Sequence, residues 1–352
     1  MTKKNIVHVV GTGTIGEPLI ALFSDYKDAW GIDEVTFHKR TPSTDDRAMI
    51  NTLLNRGARL AADEQARDDF ARLGHRVSYT NEEAIERATV VVDCTPAGNE
   101  NKVNVYQRVK GPKGFLAQGS EFGFGKPYAL GINDEVQSPD ERFVQIVSCN
   151  THNISVLLKT LASVDGKMSL ESGQFVCMRR ANDVSDAKSF LASPQAGKHD
   201  DPEFGTHHAR DAYHIFQTLG EKLNLFSSAI KINTQYMHTL WFTLTTRHDV
   251  TLEETRAALR NNPRVATTTK RSVNQIFSYG RDHGYYGRIL SQTVVPLSTI
   301  AVPDSRRIVG FCYTPQDGNS LISSIAATLR YLDASKVEER MDVLRPFIFR
   351  EI

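Results

Sequence analysis

Near the start of the chain the apolar run Asn5-Ile6-Val7-His8-Val9-Val10 passes into Gly11-Thr12-Gly13-Thr14-Ile15-Gly16 and then into the helical pattern Pro18-Leu19-Ile20-Ala21-Leu22-Phe23. Strand, glycine turn and helix in that order leave few folds open. A G-x-G-x-x-G run alone is weak evidence. Placed after a strand and opening a helix, its glycines permit a tight turn, close approach of the backbone to a pyrophosphate and close helix packing. The helix N-terminus then faces the phosphates. The plainer alternative is a glycine turn with no ligand.

The next hundred residues keep the same alternation. Glu34-Val35-Thr36-Phe37-His38-Lys39-Arg40 reads as a second strand, and a polar helical stretch then presents a face at Met49, Leu53, Leu54 and Leu60. Val77-Ser78-Tyr79, Ala88-Thr89-Val90-Val91-Val92-Asp93 and Gly114-Phe115-Leu116-Ala117-Gln118-Gly119 supply further short strands. Alternating strands and helices predict an α/β fold with a Rossmann-type doubly wound parallel sheet. At the end of the second strand, where a carboxylate would bind the ribose diol of NAD, the chain has His38-Lys39-Arg40-Thr41. Two cations and a hydroxyl suit a 2′-phosphate, which favours NADP over NAD and leaves dual use open.

With 352 residues the chain is long enough for two domains. Beyond residue 161 its character changes to longer strands, at Gln174-Phe175-Val176-Cys177-Met178-Arg179-Arg180, Ile230-Lys231-Ile232 with Thr239-Leu240-Trp241-Phe242-Thr243-Leu244, and Arg307-Ile308-Val309-Gly310-Phe311-Cys312-Tyr313. A helix at residues 251–261 and a loop at 193–205 lie between them, the pattern of an α+β domain with a mixed sheet. Residues 320–332 are amphipathic and suit a closing helix of the first domain. The expected division is 1–148 with 317–352 for the dinucleotide, and 149–316 for catalysis and oligomerisation.

A net charge of +1 with acids and bases interspersed gives no global attraction for nucleic acid or an anionic membrane. No apolar run approaches the roughly 20 residues that span a bilayer. Cys94, Cys149, Cys177 and Cys312 are scattered, which suits a reducing cytoplasm better than a disulfide framework.

Cys149 stands apart from the other three. Phe143-Val144-Gln145-Ile146-Val147 delivers it to the point where a strand stops and the pattern Ile154-Ser155-Val156-Leu157-Leu158-Lys159-Thr160-Leu161 begins a helix. A helix N-terminus lowers a thiol pKa and favours the nucleophilic thiolate. The alternative is a buried, inert cysteine. A thiolate beside a nicotinamide suggests addition to an aldehyde, loss of hydride from the hemithioacetal, and cleavage of the thioester by phosphate or water. That scheme calls for a base, for which His238 and the pair His207-His208 are both candidates. No Cys or acidic residue lies at metal-ligand spacing from them, so no metal is expected.

Taken in order, Gly13-Thr14-Ile15-Gly16, Gln118-Gly119, Ser148-Cys149-Asn150-Thr151, Met178-Arg179-Arg180-Ala181, His207-His208, Met237-His238-Thr239-Leu240 and Tyr279-Gly280-Arg281-Asp282 resemble the archaeal-type (class II) phosphorylating glyceraldehyde-3-phosphate dehydrogenases. The resemblance covers nearly the whole chain. It implies Cys149 as nucleophile and His238 as the base paired with it, with Ser148, Asn150, Thr151, His207 and His208 around a phosphorylated aldehyde. It also implies Gly11, Gly13, Thr14, Ile15 and Gly16 at the coenzyme pyrophosphate, Lys39 near the adenosine ribose, and Gly119, Arg180 and Gln316 elsewhere along the coenzyme. Inorganic phosphate as second substrate, a homotetramer and a place in glycolysis or gluconeogenesis belong to the same implication.

The chain departs from the family at His152-Asn153 (usually Thr-Gly), at Ala209-Arg210-Asp211 after His208 (usually Gly-Pro-Asp), and at Ser120-Glu121-Phe122. Arg210, Arg264, Lys270 and Arg271 are cations that could take over phosphate binding there, although a solvated surface is the better reading of any one of them. Two alternatives stay open: a related aldehyde or semialdehyde dehydrogenase with another substrate, and a coenzyme-binding redox sensor without the chemistry.

Overall fold

A computed structural model describes residues 4–119, 121–183, 190–315 and 317–352. They form two compact units. The first comprises Met1–Lys126, Gln137–Ile146 and Ser323–Val343, and the second Pro127–Val136, Val147–Ile322 and Leu344–Ile352.

Strands β1 (Ile6–Val10), β2 (Glu34–His38), β3 (Arg59–Ala62), β4 (Val77–Thr80), β5 (Val90–Asp93), β6 (Gly114–Gln118), β7 (Lys126–Tyr128) and β8 (Phe143–Ile146) make one sheet in the order β4-β3-β2-β1-β5-β6-β8-β7. Every registered neighbour pair from β4 to β8 is parallel. All five residues of β1, and likewise of β2 and β6, are buried, as in a sheet covered on both faces. This is the Rossmann-type doubly wound sheet the sequence predicts. Tyr106, Phe115 and Phe124 pack beside Val10 and Val91 in its core.

One local expectation fails in this unit. The helical stretch after β2 ends at Asn55, and Leu60 lies in β3, fully buried between β2 and β4. Leu60 falls on a helical period with Leu53, but Gly57 at φ 91° ends the helix first and turns the chain into the sheet.

After Val147 the second unit continues with the helix Cys149–Leu161 and the hairpin β9 (Ser163–Val164) and β10 (Lys167–Met168). Its sheet comprises β11 (Leu170–Arg179), β12 (Gln195–Ala196), β13 (Leu225–Lys231), β14 (Thr239–Thr246), β15 (Val265–Thr268), β16 (Thr293–Pro296), β17 (Ala301–Asp304) and β18 (Arg307–Tyr313). The order is β12-β13-β11-β14-β18-β16-β15, with β17 on β18. Parallel pairs (β11 with β13, β15 with β16) and antiparallel pairs (β11 with β14, β14 with β18) coexist, which is the mixed sheet expected.

Burial alternates strictly along β14, so one face packs and the other is more open. Phe175, Leu240, Phe242 and Cys312 from the covered face meet Ile154, Leu157 and Leu158 of the Cys149 helix. The helix Leu252–Asn261 starts where the sequence places it, because Thr251 and Glu254 form a reciprocal capping box with Glu253 also in the first turn. No helix among the described residues is long and apolar enough to cross a membrane.

Candidate active site

In the first unit the glycine turn has the shape a dinucleotide needs. Gly11 holds φ 94°, and its N–H donates to His38 O at 3.2 Å, fixing the turn against the end of β2. A Cβ on Gly16, the first residue of the helix Gly16–Asp25, would stand 2.1 Å from Gly11 O, so only glycine lets helix and turn close up. A Cβ on Gly13 would meet nothing within 4 Å. Gly13 is therefore not required by packing, and its bare backbone leaves room for a pyrophosphate.

Thr14 and Ile15 complete the turn, Ile15 standing at the helix N-cap. At the end of β2, Lys39 Nζ is 2.7 Å from Asp46 Oδ2, His38 Nε2 is 3.1 Å from Asp63 Oδ1, and Arg40 is exposed. Gly119, at φ 72°, follows β6 and accepts a hydrogen bond from the Gln145 side chain at 3.1 Å. The expected coenzyme residue Gln316, and Ser120 in the departing segment, lie outside the described residues.

In the second unit Ser148 caps the helix that Cys149 opens. Its backbone is extended (φ −65°, ψ 157°), and Ser148 Oγ accepts from the Thr151 N–H at 3.3 Å. Thr151 Oγ1 lies 2.8 Å from Ser148 Oγ. Asn150 is buried, its carboxamide oxygen accepting from Thr314 Oγ1 at 2.9 Å, while Asn153 Nδ2 donates to the same Thr314 oxygen at 2.6 Å. Asn319 Nδ2 donates to Cys149 O at 2.9 Å. Asn150, Thr151 and Asn153 thus hold the helix start rigid. His152 does likewise: its Nδ1–H donates to Ser148 O at 3.0 Å, and burial holds its pKa down at about 4.

Around this start stand the other predicted residues of the unit. Arg180 follows β11, and its backbone N–H donates to His238 Nδ1 at 3.0 Å. Accepting an N–H at Nδ1 puts the proton of a neutral imidazole on Nε2. Burial, then Arg180, hold the His238 pKa down at about 3, so the ring is neutral near pH 7. The Arg180 guanidinium, 1% exposed, reaches Asp317 Oδ2 at 3.0 Å and Asp183 Oδ1 at 3.1 Å.

His207 and His208 open the helix His207–Gln217 with ring centroids 3.9 Å apart, and His208 Nδ1 lies 3.5 Å from Ser148 Oγ. Burial first, then neighbouring cations, push His207 down to about 4. Arg210 pairs with Asp211 at 2.9 Å. Arg264 packs over Gly131, and Lys270 and Arg271 line an open surface cavity with Thr269, Ser272 and Gln275.

The charge on Cys149 corrects the sequence expectation. A helix N-terminus alone would lower the thiol pKa, but burial pushes it well up and the Asp317 carboxylate, within hydrogen-bonding reach, pushes the same way. Arg180 pulls it down, less than those two push it up. Asp317 is the residue that sequence reasoning missed. Its signal was an acidic residue in Pro315-Gln316-Asp317-Gly318, a turn composition directly before a helix.

The two units thus define the class: an α/β protein with a dinucleotide-type glycine turn on a parallel sheet, and a helix-borne thiol beside a guanidinium and a carboxylate. No protein-family model matches the chain. Among curated proteins it is 26% identical over 285 residues to glyceraldehyde-3-phosphate dehydrogenase 1 of Methanosarcina barkeri, covering 80% of this chain and 79% of that one. The glyceraldehyde-3-phosphate dehydrogenase of Aeropyrum pernix is 26% identical over 316 residues (87% and 85%), and that of Hyperthermus butylicus 24% over 300 (84% and 83%). Similarity over most of the chain to several such proteins supports a relationship to the glyceraldehyde-3-phosphate dehydrogenases.

Proposed function

We propose that the chain is a phosphorylating glyceraldehyde-3-phosphate dehydrogenase that uses NADP in preference to NAD. The observation that carries this reading is Cys149 itself. It is the first residue of a capped helix, held rigid by Asn319 and beside a buried guanidinium, in a chain similar over most of its length to proteins named glyceraldehyde-3-phosphate dehydrogenase.

In this reading the first unit holds the coenzyme through Gly11, Gly13, Thr14, Ile15, Gly16, Lys39 and Gly119. The second carries the chemistry, with Ser148, His207 and His208 toward the phosphorylated aldehyde. A bound nicotinamide dinucleotide supplies the acceptor for the hydride that leaves the substrate carbon. The Cys149 sulfur, after giving its proton to solvent, forms a C–S bond to the aldehyde carbon while the C=O π pair moves onto oxygen. His238, expected as the base, has its Nδ1 taken by the Arg180 N–H and its proton on Nε2, so in this reading it serves instead as a donor to that oxygen, and N–H groups of the Cys149 helix add to its stabilisation. After hydride loss Cys149 holds the acyl group as a thioester. Attack of inorganic phosphate at the acyl carbon releases the acyl phosphate and returns the thiolate.

A homotetramer in the cytoplasm completes the proposal. One observation favours a second reading, a non-catalytic protein that senses redox state through its coenzyme and not through this thiol: Cys149 is pushed up rather than down, which disfavours the nucleophilic thiolate. Steady-state reduction of NADP and NAD with glyceraldehyde 3-phosphate, with and without phosphate, tests the choice. Turnover that requires phosphate supports the dehydrogenase, and binding of coenzyme without turnover supports the sensor.

A further inference from the structure

Arg180 and Asp317 are two opposite charges buried together, with side chains 1% and 8% exposed. Removing such charges from water is costly, and an apolar pair of similar volume is often as stable or more so. Asp317 also holds φ 66°, a left-handed conformation uncommon outside glycine, asparagine and aspartate. An uncommon backbone conformation and a buried charge at one residue point to a charge placed for use.

The groups around it show what that use is. Thr314 and Asn319, on either side of Asp317 in sequence, donate to Asn150 Oδ1 and Cys149 O at 2.9 Å each, which sets Asp317 against the start of the Cys149 helix; there its carboxylate pushes the thiol pKa up while Arg180 pulls it down. Arg180, His238 and Arg288 act on Asp317, and Arg180, Asp317 and Arg179 on His238. Arg180 is thus shared between a sulfur that would gain from its charge and a carboxylate that already holds it. We propose that Asp317 is a positioning residue of the Cys149 site, holding Arg180 in a buried ion pair and so withholding its positive charge from the sulfur.

Free of Asp317, Arg180 would stabilise the thiolate; paired, it leaves a thiol that reacts slowly. The inference rests on reading Cys149 as the nucleophile, but its test needs neither aldehyde nor coenzyme.

The probe is iodoacetamide, which is uncharged and so is not steered by the changed field. The thiol gives its proton to solvent, the sulfur forms a bond to the reagent's methylene carbon, and iodide leaves. Alkylation of Cys149 is followed by peptide mass spectrometry across pH 6–11.5, which separates it from Cys94, Cys177 and Cys312. Asp317→Asn should move the midpoint of the profile down by about one unit or more and speed reaction at pH 7 about tenfold. Arg180→Gln should shift the midpoint the other way.

An unchanged or raised midpoint in Asp317→Asn overturns the proposal, as does a lowered one in Arg180→Gln. Should the Asn variant fail to fold, Asp317→Gly suits φ 66° and removes the same charge, so the same result is required of it. Loss of coenzyme reduction with the aldehyde would refute the dehydrogenase reading and leave these alkylation shifts standing, so the two failures are distinct.

Discussion

Replacing Gly13 and Gly16 one at a time by alanine separates what the turn needs for packing from what it needs for a ligand. At Gly16 the new methyl would stand 2.1 Å from Gly11 O and 2.9 Å from Gly11 C, where ordinary contact begins at 3.4 Å, so backbone must part from backbone by more than an ångström. Overpacking of this kind costs about 1–3 kcal/mol. For a unit of this size that lowers Tm by roughly 2–4 °C per kcal/mol. At Gly13 nothing lies within 4 Å and no left-handed φ is required, so stability should change by less than about 0.5 kcal/mol. The same methyl would occupy the space a pyrophosphate enters, and coenzyme affinity should fall at least about tenfold, or 1.4 kcal/mol. Thermal melts followed by fluorescence titration with NADPH and NADH read both effects. A Gly13→Ala protein that melts and binds like the parent would refute the coenzyme role of the turn, and a Gly16→Ala protein with unaltered Tm would refute the packing argument.

Three further outcomes rest on the same geometry. His238→Asn should lower kcat about 10²–10³-fold, as for loss of an oxyanion donor, and because the His238 pKa lies at about 3, the parent's activity should show no ionisation limb from it near pH 6–7; an equal loss in His207→Asn or His208→Asn alone would move the role to that pair. His8, His152 and His238 are buried with pKa values held down at about 3, 4 and 3, so below their unfolded value of 6.5 the unfolded chain takes up protons the folded chain refuses. Stability should be fully present above pH 6.5 and fall below it by up to about 1.4 kcal/mol per pH unit for each histidine, and a Tm constant from pH 7 to 5 would contradict this. Arg40 is exposed while Lys39 is paired with Asp46, so Arg40→Ala should weaken NADPH binding about tenfold and leave NADH nearly unchanged, read by the same titration; equal losses for both coenzymes would refute the 2′-phosphate role.

The parts of this protein that repeat a local rule were legible in its sequence. β1 and its glycine turn arise from a continuous apolar run before Gly11, and the Leu252 helix from the box of Thr251 and Glu254. Leu60 misled because helical spacing from Leu53 does not register the break at Gly57. The strands β15 and β16 were not foreseen, since Val265-Ala266-Thr267-Thr268 and Thr293-Val294-Val295-Pro296 are too short to show a period. At the site, Ser148-Cys149-Asn150-Thr151 revealed the thiol and its cap, because both are set by neighbours in sequence. The charge on that thiol was not legible. It depends on burial and on Asp317, a residue that only folding brings beside Arg180, and those two effects outweigh the helix N-terminus from which sequence reasoning starts. The nitrogen of His238 that carries the proton is likewise set by a backbone N–H from β11's end, which no motif records.

Whether Cys149 forms the acyl-enzyme of a phosphate-dependent aldehyde oxidation decides the rest. It is read by single-turnover mixing of the protein with NADP and glyceraldehyde 3-phosphate in the absence of phosphate, with Cys149 acylation followed by intact-mass spectrometry. A thioester-forming Cys149 should give about one NADPH and one acyl group per chain, release of both on adding phosphate, and neither in Cys149→Ser, which should still bind coenzyme. Continuous turnover without phosphate, or NADPH formation that survives Cys149→Ser, would contradict that role.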